Sequence, residues 1–201
     1  MNQSLVEITH NIMSEIFVFG GCNGSGKSTL ASRVLSSVQP APEFVNADII
    51  AARLNPDDVD AVAITASRLM LDKLKTLADQ NLDFAFETTL AARSFARFLR
   101  KCKSEGYQIN LVYVWLESPE LAIRRVAKRV ASGGHDIPQD IIKRRYERSL
   151  HNLVELYLPL ADRFQAYDNS QNENSLIAYY SHKNSPIKVI QQDIWNQILN
   201  S

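Results

Sequence analysis

Residues 16–29 read IFVFGGCNGSGKST, and this stretch decides the fold. Its first four residues are apolar and predict a buried strand, while the apolar spacing from Leu30 to Val38 predicts a helix directly after it. A glycine-rich loop between a strand and a helix brings backbone N–H groups and the positive end of the helix dipole to one point. The segment from Gly21 to Ser28 therefore predicts a P-loop, which binds the phosphate tail of a nucleoside triphosphate.

The residue types within this loop predict separate roles in binding ATP and Mg²⁺. Its glycines allow the backbone to bend around the phosphates, Lys27 is placed to reach the β and γ oxygens, and Ser28 offers a hydroxyl to Mg²⁺. A glycine-rich turn that matches by chance is the alternative, and the strand and helix on either side argue against it. The predicted nucleotide-binding residues are Gly21, Cys22, Asn23, Gly24, Ser25, Gly26, Lys27, Ser28 and Thr29.

Length and composition favour one folded unit. The chain has 201 residues, of which 45% are hydrophobic and 22% charged, which is enough for one good core. We expect a single domain over residues 14–201, preceded by an extension over residues 1–13. The formal net charge is zero, which argues against a duplex nucleic acid as partner.

The cysteines and the N-terminus predict the cellular setting. Two cysteines, Cys22 and Cys102, provide no disulfide framework and favour a reducing compartment. The first residues have neither a basic region nor a long apolar stretch, so we expect no signal peptide, no membrane anchor and no membrane partner. These features predict a cytoplasmic protein.

Strand-like apolar runs alternate with helical patterns along most of the chain. This alternation predicts an α/β P-loop NTPase fold with three layers: a mainly parallel sheet, helices on both faces, and a C-terminal hairpin plus a short helix. The predicted strands are 16–19, 43–45, 84–86, 109–116 and 164–167, and the predicted helices are 27–38, 61–78, 94–104 and 118–131. The hairpin is expected around residues 184–186, and the short helix after it carries Trp195.

Two acidic residues follow predicted strands. Ligands of parallel sheets bind beyond the carboxyl ends of the strands, which is where Asp48 and Glu87 fall. One carboxylate there can accept the proton of a substrate hydroxyl, and the other can orient the substrate or hold the waters of a metal ion. The alternatives are that Asp48 caps a helix starting at Ile49 and that Glu87 is a solvated loop residue, with Thr89 as a cap.

Basic residues are concentrated between Arg124 and Arg148. Eight lysines and arginines fall in this segment of a chain with no net charge, and Gly133 and Gly134 divide it. Guanidinium groups on such a segment can close over a transferring phosphoryl group, so we expect a lid at about residues 124–148. The alternative for each arginine is an ordinary solvated helix face.

Several of these motifs together resemble the zeta-toxin family of P-loop kinases, and especially its short bacterial members, which are often labelled predicted ABC-type ATPases. The shared motifs span residues 15–170. They are the P-loop at 21–29, Asn46-Ala47-Asp48, Phe86-Glu87-Thr88-Thr89, Gly133-Gly134-His135-Asp136-Ile137-Pro138, Arg144-Arg145-Tyr146 and Tyr167-Asp168-Asn169-Ser170. The resemblance implies an ATP-dependent kinase that phosphorylates a hydroxyl group. In the best-known members this is the 3′-hydroxyl of the amino sugar in UDP-N-acetylglucosamine, and an antitoxin is normally a separate polypeptide.

The resemblance also implies roles for individual residues. Asp48 matches the general base of the family, and Glu87 and Thr89 match its substrate-binding pair. Arg129 matches one phosphate-contacting arginine. The second such arginine falls at His135, which we include among the substrate-binding positions, and Arg145 is the substitute from the next helix. With Lys27, the two arginines and Asp48 form the predicted catalytic set.

Two other functions fit parts of the sequence. An ATP-hydrolysing P-loop switch would use Glu117, after an apolar strand, as its acidic residue. Ser132-Gly133-Gly134-His135 resembles an ABC signature, but no apolar strand ending in Asp-Glu follows it. A nucleoside or nucleotide kinase is the other alternative, because it would have the same fold.

Overall fold

The computed structural model describes residues 13–59, 61–134, 136–171 and 173–201. Most of the predicted extension, residues 1–12, lies outside them. The strands are β1 Glu15–Gly20, β2 Glu43–Val45, β3 Phe84–Thr88, β4 Gln108–Trp115, β5 Arg163–Asp168, β6 Ser175–Tyr180 and β7 Lys188–Val189. The α-helices are α1 Lys27–Leu35, α2 Ala47–Leu54, α3 Ala63–Asp79, α4 Arg93–Ser104, α5 Pro119–Ala131, α6 Gln139–Asn152 and α7 Gln192–Leu199. A π-helical turn, Leu153–Tyr157, continues α6.

All seven strands belong to one sheet in the order β2-β3-β1-β4-β5-β6-β7. The first five pair in parallel, and β6 and β7 add an antiparallel hairpin at one edge. The last residue of β1, Gly20, is level with Thr88 of β3 and Tyr113 of β4. The segments that follow these three strands therefore start at the same edge of the sheet, which is where the P-loop begins.

Helices cover both faces of the sheet. In β1, Ile16 and Val18 face a core built with α3 and α4, whereas Phe19 packs against α1 on the opposite face. All three of these side chains are fully buried. A central parallel strand is buried on both faces, which is why the sequence of β1 is apolar from one residue to the next.

The predicted α/β fold is confirmed, including the mainly parallel sheet, the C-terminal hairpin and the short last helix. Two elements differ from the expectation. Helix α2 begins at Ala47 rather than Ile49, and the π-helical turn after α6 has no signal in the apolar spacing. Of the helices in the described part of the chain, none is long and apolar enough to cross a membrane.

Candidate active site

The P-loop is held from outside by the segment that follows β5. Gly26 is the last residue of the P-loop before α1, and its φ of 91° lies in the left-handed region. A Cβ atom at this position would lie 2.5 Å from the side-chain nitrogen of Asn169. That nitrogen donates a hydrogen bond to the carbonyl oxygen of Ser25 at 2.7 Å. Gly26 is therefore required both by the backbone conformation and by the close approach of Asn169.

Two residues of the loop have contacts that define their chemistry. The ammonium of Lys27 donates to the carbonyl oxygen of Cys22 at 2.8 Å, so the lysine folds back over the loop. The Cys22 side chain is buried in a small apolar cluster with α5 and α6. Burial raises the pKa of its thiol to about 11, because the thiolate would lose its solvation. Cys22 is therefore a packing residue rather than a nucleophile at neutral pH.

Glu87 lies beside the P-loop serine. Because β3 neighbours β1, Glu87 is level with Phe19 at the end of the P-loop strand. The hydroxyl of Ser28 donates to the two carboxylate oxygens of Glu87 at 2.9 and 3.0 Å, and the side-chain amide of Asn46 donates to Oε1. Glu87 is thus not a solvated loop residue but a strand residue with two side-chain donors.

Asp48 lies in the first turn of α2 without capping it. The cap is Asn46, whose Oδ1 accepts the backbone N–H of Asp48 at 2.7 Å. The alternative in which Asp48 caps this helix is therefore wrong, because the preceding asparagine performs that function. The side chain of Asp48 is exposed and lines the cleft beside the P-loop.

The loop between β3 and α4 carries Thr89 into the same cleft. Thr89 does not cap α4, which follows Ala92 and has no side-chain cap. Side chains from the end of α6 and from the π-helical turn after it form hydrogen bonds to the backbone of this loop. The side-chain amide of Asn152 donates to the carbonyl oxygen of Leu90 at 2.7 Å. The hydroxyl of Tyr157 donates to the carbonyl oxygen of Ala92, also at 2.7 Å.

Five of the eight basic residues of the predicted lid line the cleft. They are Arg125 and Arg129 from α5 and Arg144, Arg145 and Arg148 from α6. The guanidinium of Arg145 donates to Oδ1 of Asn23 in the P-loop at 3.3 Å. Lys143 instead points to Glu120 at 3.5 Å, and His135 lies outside the described residues.

Arg125 has a second role at the edge of the cleft. It donates to the carbonyl oxygens of Ser170 and Gln171 at 3.3 and 3.4 Å, which ties α5 to the segment after β5. In the same place the backbone N–H of Glu117 donates to the hydroxyl of Ser170 at 2.9 Å. The Glu117 side chain is exposed, and among the described residues Glu87 lines the cleft whereas Glu117 does not.

The cleft has a volume of about 1080 Å³ and a cationic lining. Six basic side chains and two carboxylates line it, although the chain as a whole is neutral. This volume slightly exceeds the range of roughly 300 to 1,000 Å³ for single-ligand sites, so it suits two ligands together. The described residues include no group of three or more His, Cys, Asp or Glu side chains that could hold a metal ion. A Mg²⁺ ion here would depend on Ser28, phosphate oxygens and water, which is the usual arrangement in phosphoryl-transfer sites.

The sequence analysis assigned no role to three asparagines that build this site, although two of them, Asn46 and Asn169, lie in the motifs shared with the family. Asn46, Asn152 and Asn169 each connect two elements through a side-chain amide. The position of Asn46, directly after a strand and before a helix, is a local signal of its capping role. The other two form contacts more than 60 residues apart in the chain, which local patterns do not report.

A parallel sheet with the P-loop strand between β3 and β4, and a cationic cleft at its edge, define a P-loop protein with a kinase fold. The family model described as Zeta toxin matches residues 13–182, and the chain belongs to the zeta toxin family. A Haemophilus influenzae protein described as uncharacterized is 33% identical over 135 residues, which are 67% of this chain and 94% of that protein.

Solved structures share the fold at low sequence identity. The AvrRxo1-ORF1:-ORF2 complex with ATP superposes with a TM-score of 0.73 and 14% identity over 92% of this chain, and this chain spans 63% of the matched chain's length. The PezAT chromosomal toxin-antitoxin system of Streptococcus pneumoniae matches with a TM-score of 0.61 and 17% identity, covering 94% of this chain and 83% of that one. A gluconokinase from Sinorhizobium meliloti matches with a TM-score of 0.51 and 18% identity, covering 79% and 83%.

Proposed function

We propose that this chain is an ATP-dependent kinase that transfers the γ-phosphoryl group to a hydroxyl of a small molecule. The observation that carries the proposal is one cleft lined by the P-loop lysine and serine, two carboxylates and five arginines. Membership of the zeta toxin family and the kinase fold support the same reaction class. We also propose a cytoplasmic setting, where ATP is available and the two free cysteines stay reduced.

The P-loop forms the donor half of the site. Backbone N–H groups of residues 21–29 would bind the phosphates, and Lys27 would exchange its contact with the Cys22 carbonyl for the β and γ oxygens. Mg²⁺, when bound, neutralises charge on the β- and γ-phosphates. Ser28 fits this ion because its oxygen can coordinate the metal while its hydrogen still bonds Glu87.

Asp48 is the proposed general base. Its carboxylate lines the cleft, and capping of α2 is performed by Asn46, so the Asp48 carboxylate is not needed for the cap and is available for proton transfer. The base accepts the proton of the acceptor hydroxyl as the oxygen attacks the γ-phosphorus, and ADP leaves from the opposite side.

Arg129 and Arg145 are the proposed arginines that stabilise the transition state. They reach the cleft from α5 and α6, and Arg145 already contacts the P-loop through Asn23. Fixed guanidinium groups at that point would stabilise the charge that develops on the transferring phosphoryl group. His135, at the other family position, is retained as a proposed substrate-binding residue.

The acceptor half lies between β3 and α6. Glu87 and Thr89 are the proposed residues that orient the acceptor, and Arg148 of α6 lines the same cleft. Arg148 is three residues after Arg145, which contacts the P-loop, and four before Asn152, which contacts the β3–α4 loop. At about 1.5 Å per residue, Arg148 therefore lies between the donor and acceptor sides.

The cleft charge favours an anionic acceptor. The lining has six cations and two carboxylates, and ATP bound to Mg²⁺ retains roughly two net negative charges. Positive charge is therefore left over for a second anionic ligand. UDP-N-acetylglucosamine, the acceptor suggested by the family resemblance, has a diphosphate that meets this requirement and an amino sugar with free hydroxyls.

A separate antitoxin protein is the proposed macromolecular partner. Both PezAT and AvrRxo1-ORF1:-ORF2 are described as pairs of proteins. An ATP-hydrolysing switch that relies on Glu117 is less favoured, because the exposed Glu117 side chain does not line the cleft as Glu87 does.

A screen of acceptors tests the proposal directly. The protein is incubated with ATP, Mg²⁺ and a panel of nucleotide sugars, nucleosides and nucleotides, and products are read by mass spectrometry for the gain of one phosphate. The proposal expects a product with one acceptor class and none with Lys27→Ala, which removes the phosphate-binding ammonium. Phosphorylation of a nucleoside would move the assignment to nucleoside kinases. ATP hydrolysis that no acceptor accelerates would favour the switch.

A further inference from the structure

The side-chain amide of Asn46 connects the Glu87 carboxylate to the backbone of Asp48. Its Oδ1 accepts the backbone N–H of Asp48 at 2.7 Å, and its Nδ2 donates to Glu87, which in turn accepts the hydroxyl of Ser28. Asn46 is buried, with 8% of its surface exposed. A hydrogen-bonded chain thus runs from the proposed magnesium ligand, through Glu87 and Asn46, to the turn that carries the proposed base.

We propose that Asn46 is a positioning residue that fixes Glu87 against the Ser28 hydroxyl and, with the same amide, fixes the helix turn that carries Asp48. The inference rests on the proposed kinase function and adds to it a residue that acts through its hydrogen bonds to Glu87 and to the backbone of Asp48. In this arrangement Glu87 holds the Ser28 hydroxyl in addition to its proposed role in orienting the acceptor.

Only an amide performs both parts of this role. The Asp48 N–H requires an acceptor and the Glu87 carboxylate requires a donor, so the orientation of the Asn46 amide is determined by its two partners. Serine at this position would still cap α2, because serine and asparagine are similar N-caps. Serine is too short to keep the hydrogen bond to Glu87, which connects the residue after β2 to the neighbouring strand β3.

The loss of this bond has a specific consequence. Without Asn46, Glu87 retains one donor, Ser28, and becomes free to turn away from the position in which it holds that hydroxyl. Hydrogen bonds to charged groups are strong enough that losing one changes an equilibrium roughly ten- to a hundredfold. The change should affect the use of Mg²⁺ more than folding, since the cap survives and the half-buried Glu87 carboxylate can still be hydrated.

The test compares Asn46→Ser with Asn55→Ser. Asn55 ends the same helix and binds two backbone N–H groups with its side chain, at 3.1 and 3.2 Å, but is not part of the cleft lining. Binding of a fluorescent ATP analogue is measured over a range of Mg²⁺ concentrations, together with ATP turnover and the melting temperature. Glu87→Gln and the double variant Asn46→Ser/Glu87→Gln complete a double-mutant cycle, which measures the coupling between the two residues.

Asn46→Ser should melt within a few degrees of Asn55→Ser and bind the analogue normally without Mg²⁺. It should need roughly tenfold more Mg²⁺ for half-maximal enhancement of binding, and turnover should fall at least tenfold. In the Glu87→Gln background the same change should cost less than threefold, because the bond is already weakened.

Two results would overturn the inference. Equal effects of Asn46→Ser with and without Glu87→Gln would show that the residues act independently. An Asn46→Ser protein that behaves like Asn55→Ser would show that Asn46 is only a helix cap. A wild-type protein that binds no ATP analogue at any Mg²⁺ concentration would instead refute the proposed function, and the role of Asn46 with it.

Discussion

Replacement of Asp48 by asparagine separates catalysis from folding at this site. The substitution keeps the size of the side chain and removes its basicity. If Asp48 accepts the proton of the acceptor hydroxyl, phosphoryl transfer should fall roughly 10² to 10⁴-fold, the usual contribution of a positioned general base. ATP affinity should change little, because the P-loop and its lysine are untouched.

The structure also limits the effect of this change on stability. Asp48 is an acid in the first turn of α2, and its interaction with the helix dipole contributes about 0.3 to 1 kcal/mol at an exposed position. The capping hydrogen bond belongs to Asn46 and is retained. In a domain of this size, about 1 kcal/mol lowers the melting temperature by roughly 2 to 4 °C, so the loss should not exceed about 4 °C.

A matched control isolates the dipole effect from the chemistry. Asp193 is an exposed acid in the first turn of α7 and is not part of the cleft lining. Asp193→Asn should lower the melting temperature as much as Asp48→Asn and leave transfer to the acceptor identified by the screen unchanged. Transfer is measured at saturating ATP and acceptor, and melting by circular dichroism. A large loss of stability in Asp48→Asn with an unchanged rate would refute the assignment of this residue as the base.

Three further changes probe the rest of the site. Alanine at Arg129 or Arg145 should lower kcat and kcat/KM together by about 10² or more, and a rise in the KM for ATP alone would show ground-state binding instead. Gly26→Ala should abolish ATP binding in a nucleotide titration, because its Cβ would meet a side chain at 2.5 Å. Gly106→Ala, with φ 99° and open space around it, should lose only about 1 to 2 kcal/mol of stability in denaturant unfolding and keep ATP binding. Burial raises the pKa of the Cys22 thiol from 9.0 to about 11, so the unfolded chain loses this proton at a lower pH than the folded one. The stability that the buried neutral thiol contributes should therefore be lost as the pH rises over that range. Iodoacetamide should accordingly label it at pH 8 only after unfolding, as mass spectrometry would show, and rapid labelling of the folded protein would contradict its burial.

The sequence was sufficient for the fold because its strongest signals are local. The P-loop pattern specifies a strand, a loop and a helix within 25 residues, and the apolar runs of β3 and β4 reflect burial on both faces of a parallel sheet. Strand order was less accessible, because it depends on which strands pair across the chain. Both β3 and β4 neighbour β1, and the register then places Glu87 level with Phe19, where it contacts Ser28, whereas Glu117 lies beyond the end of β4.

The contacts that hold the cleft in shape were not predictable in the same way. Position in the sequence left open whether Asp48 or its neighbour caps α2, since aspartate and asparagine are equally good N-caps. The structure shows that Asn46 is the cap. Its amide oxygen accepts the N–H of Asp48, and its amide nitrogen donates to Glu87 in the neighbouring strand. Residues whose side chains serve two distant partners show no periodicity, which is why sequence patterns miss them.

The packing of Cys22 explains how the arginines of α5 and α6 are kept near the P-loop. The Cys22 side chain lies with Ala122 and Val126 of α5 and Ile142 of α6 in a core cluster that is separate from the two that cover the sheet. The P-loop approaches α5 so closely that a Cβ at Gly24 would lie 2.9 Å from the carbonyl oxygen of Ala122. A larger side chain at Cys22 would therefore push both helices away from the loop. Because Arg129 and Arg145 project from these helices, we expect a larger side chain at Cys22 to move their guanidinium groups away from the P-loop.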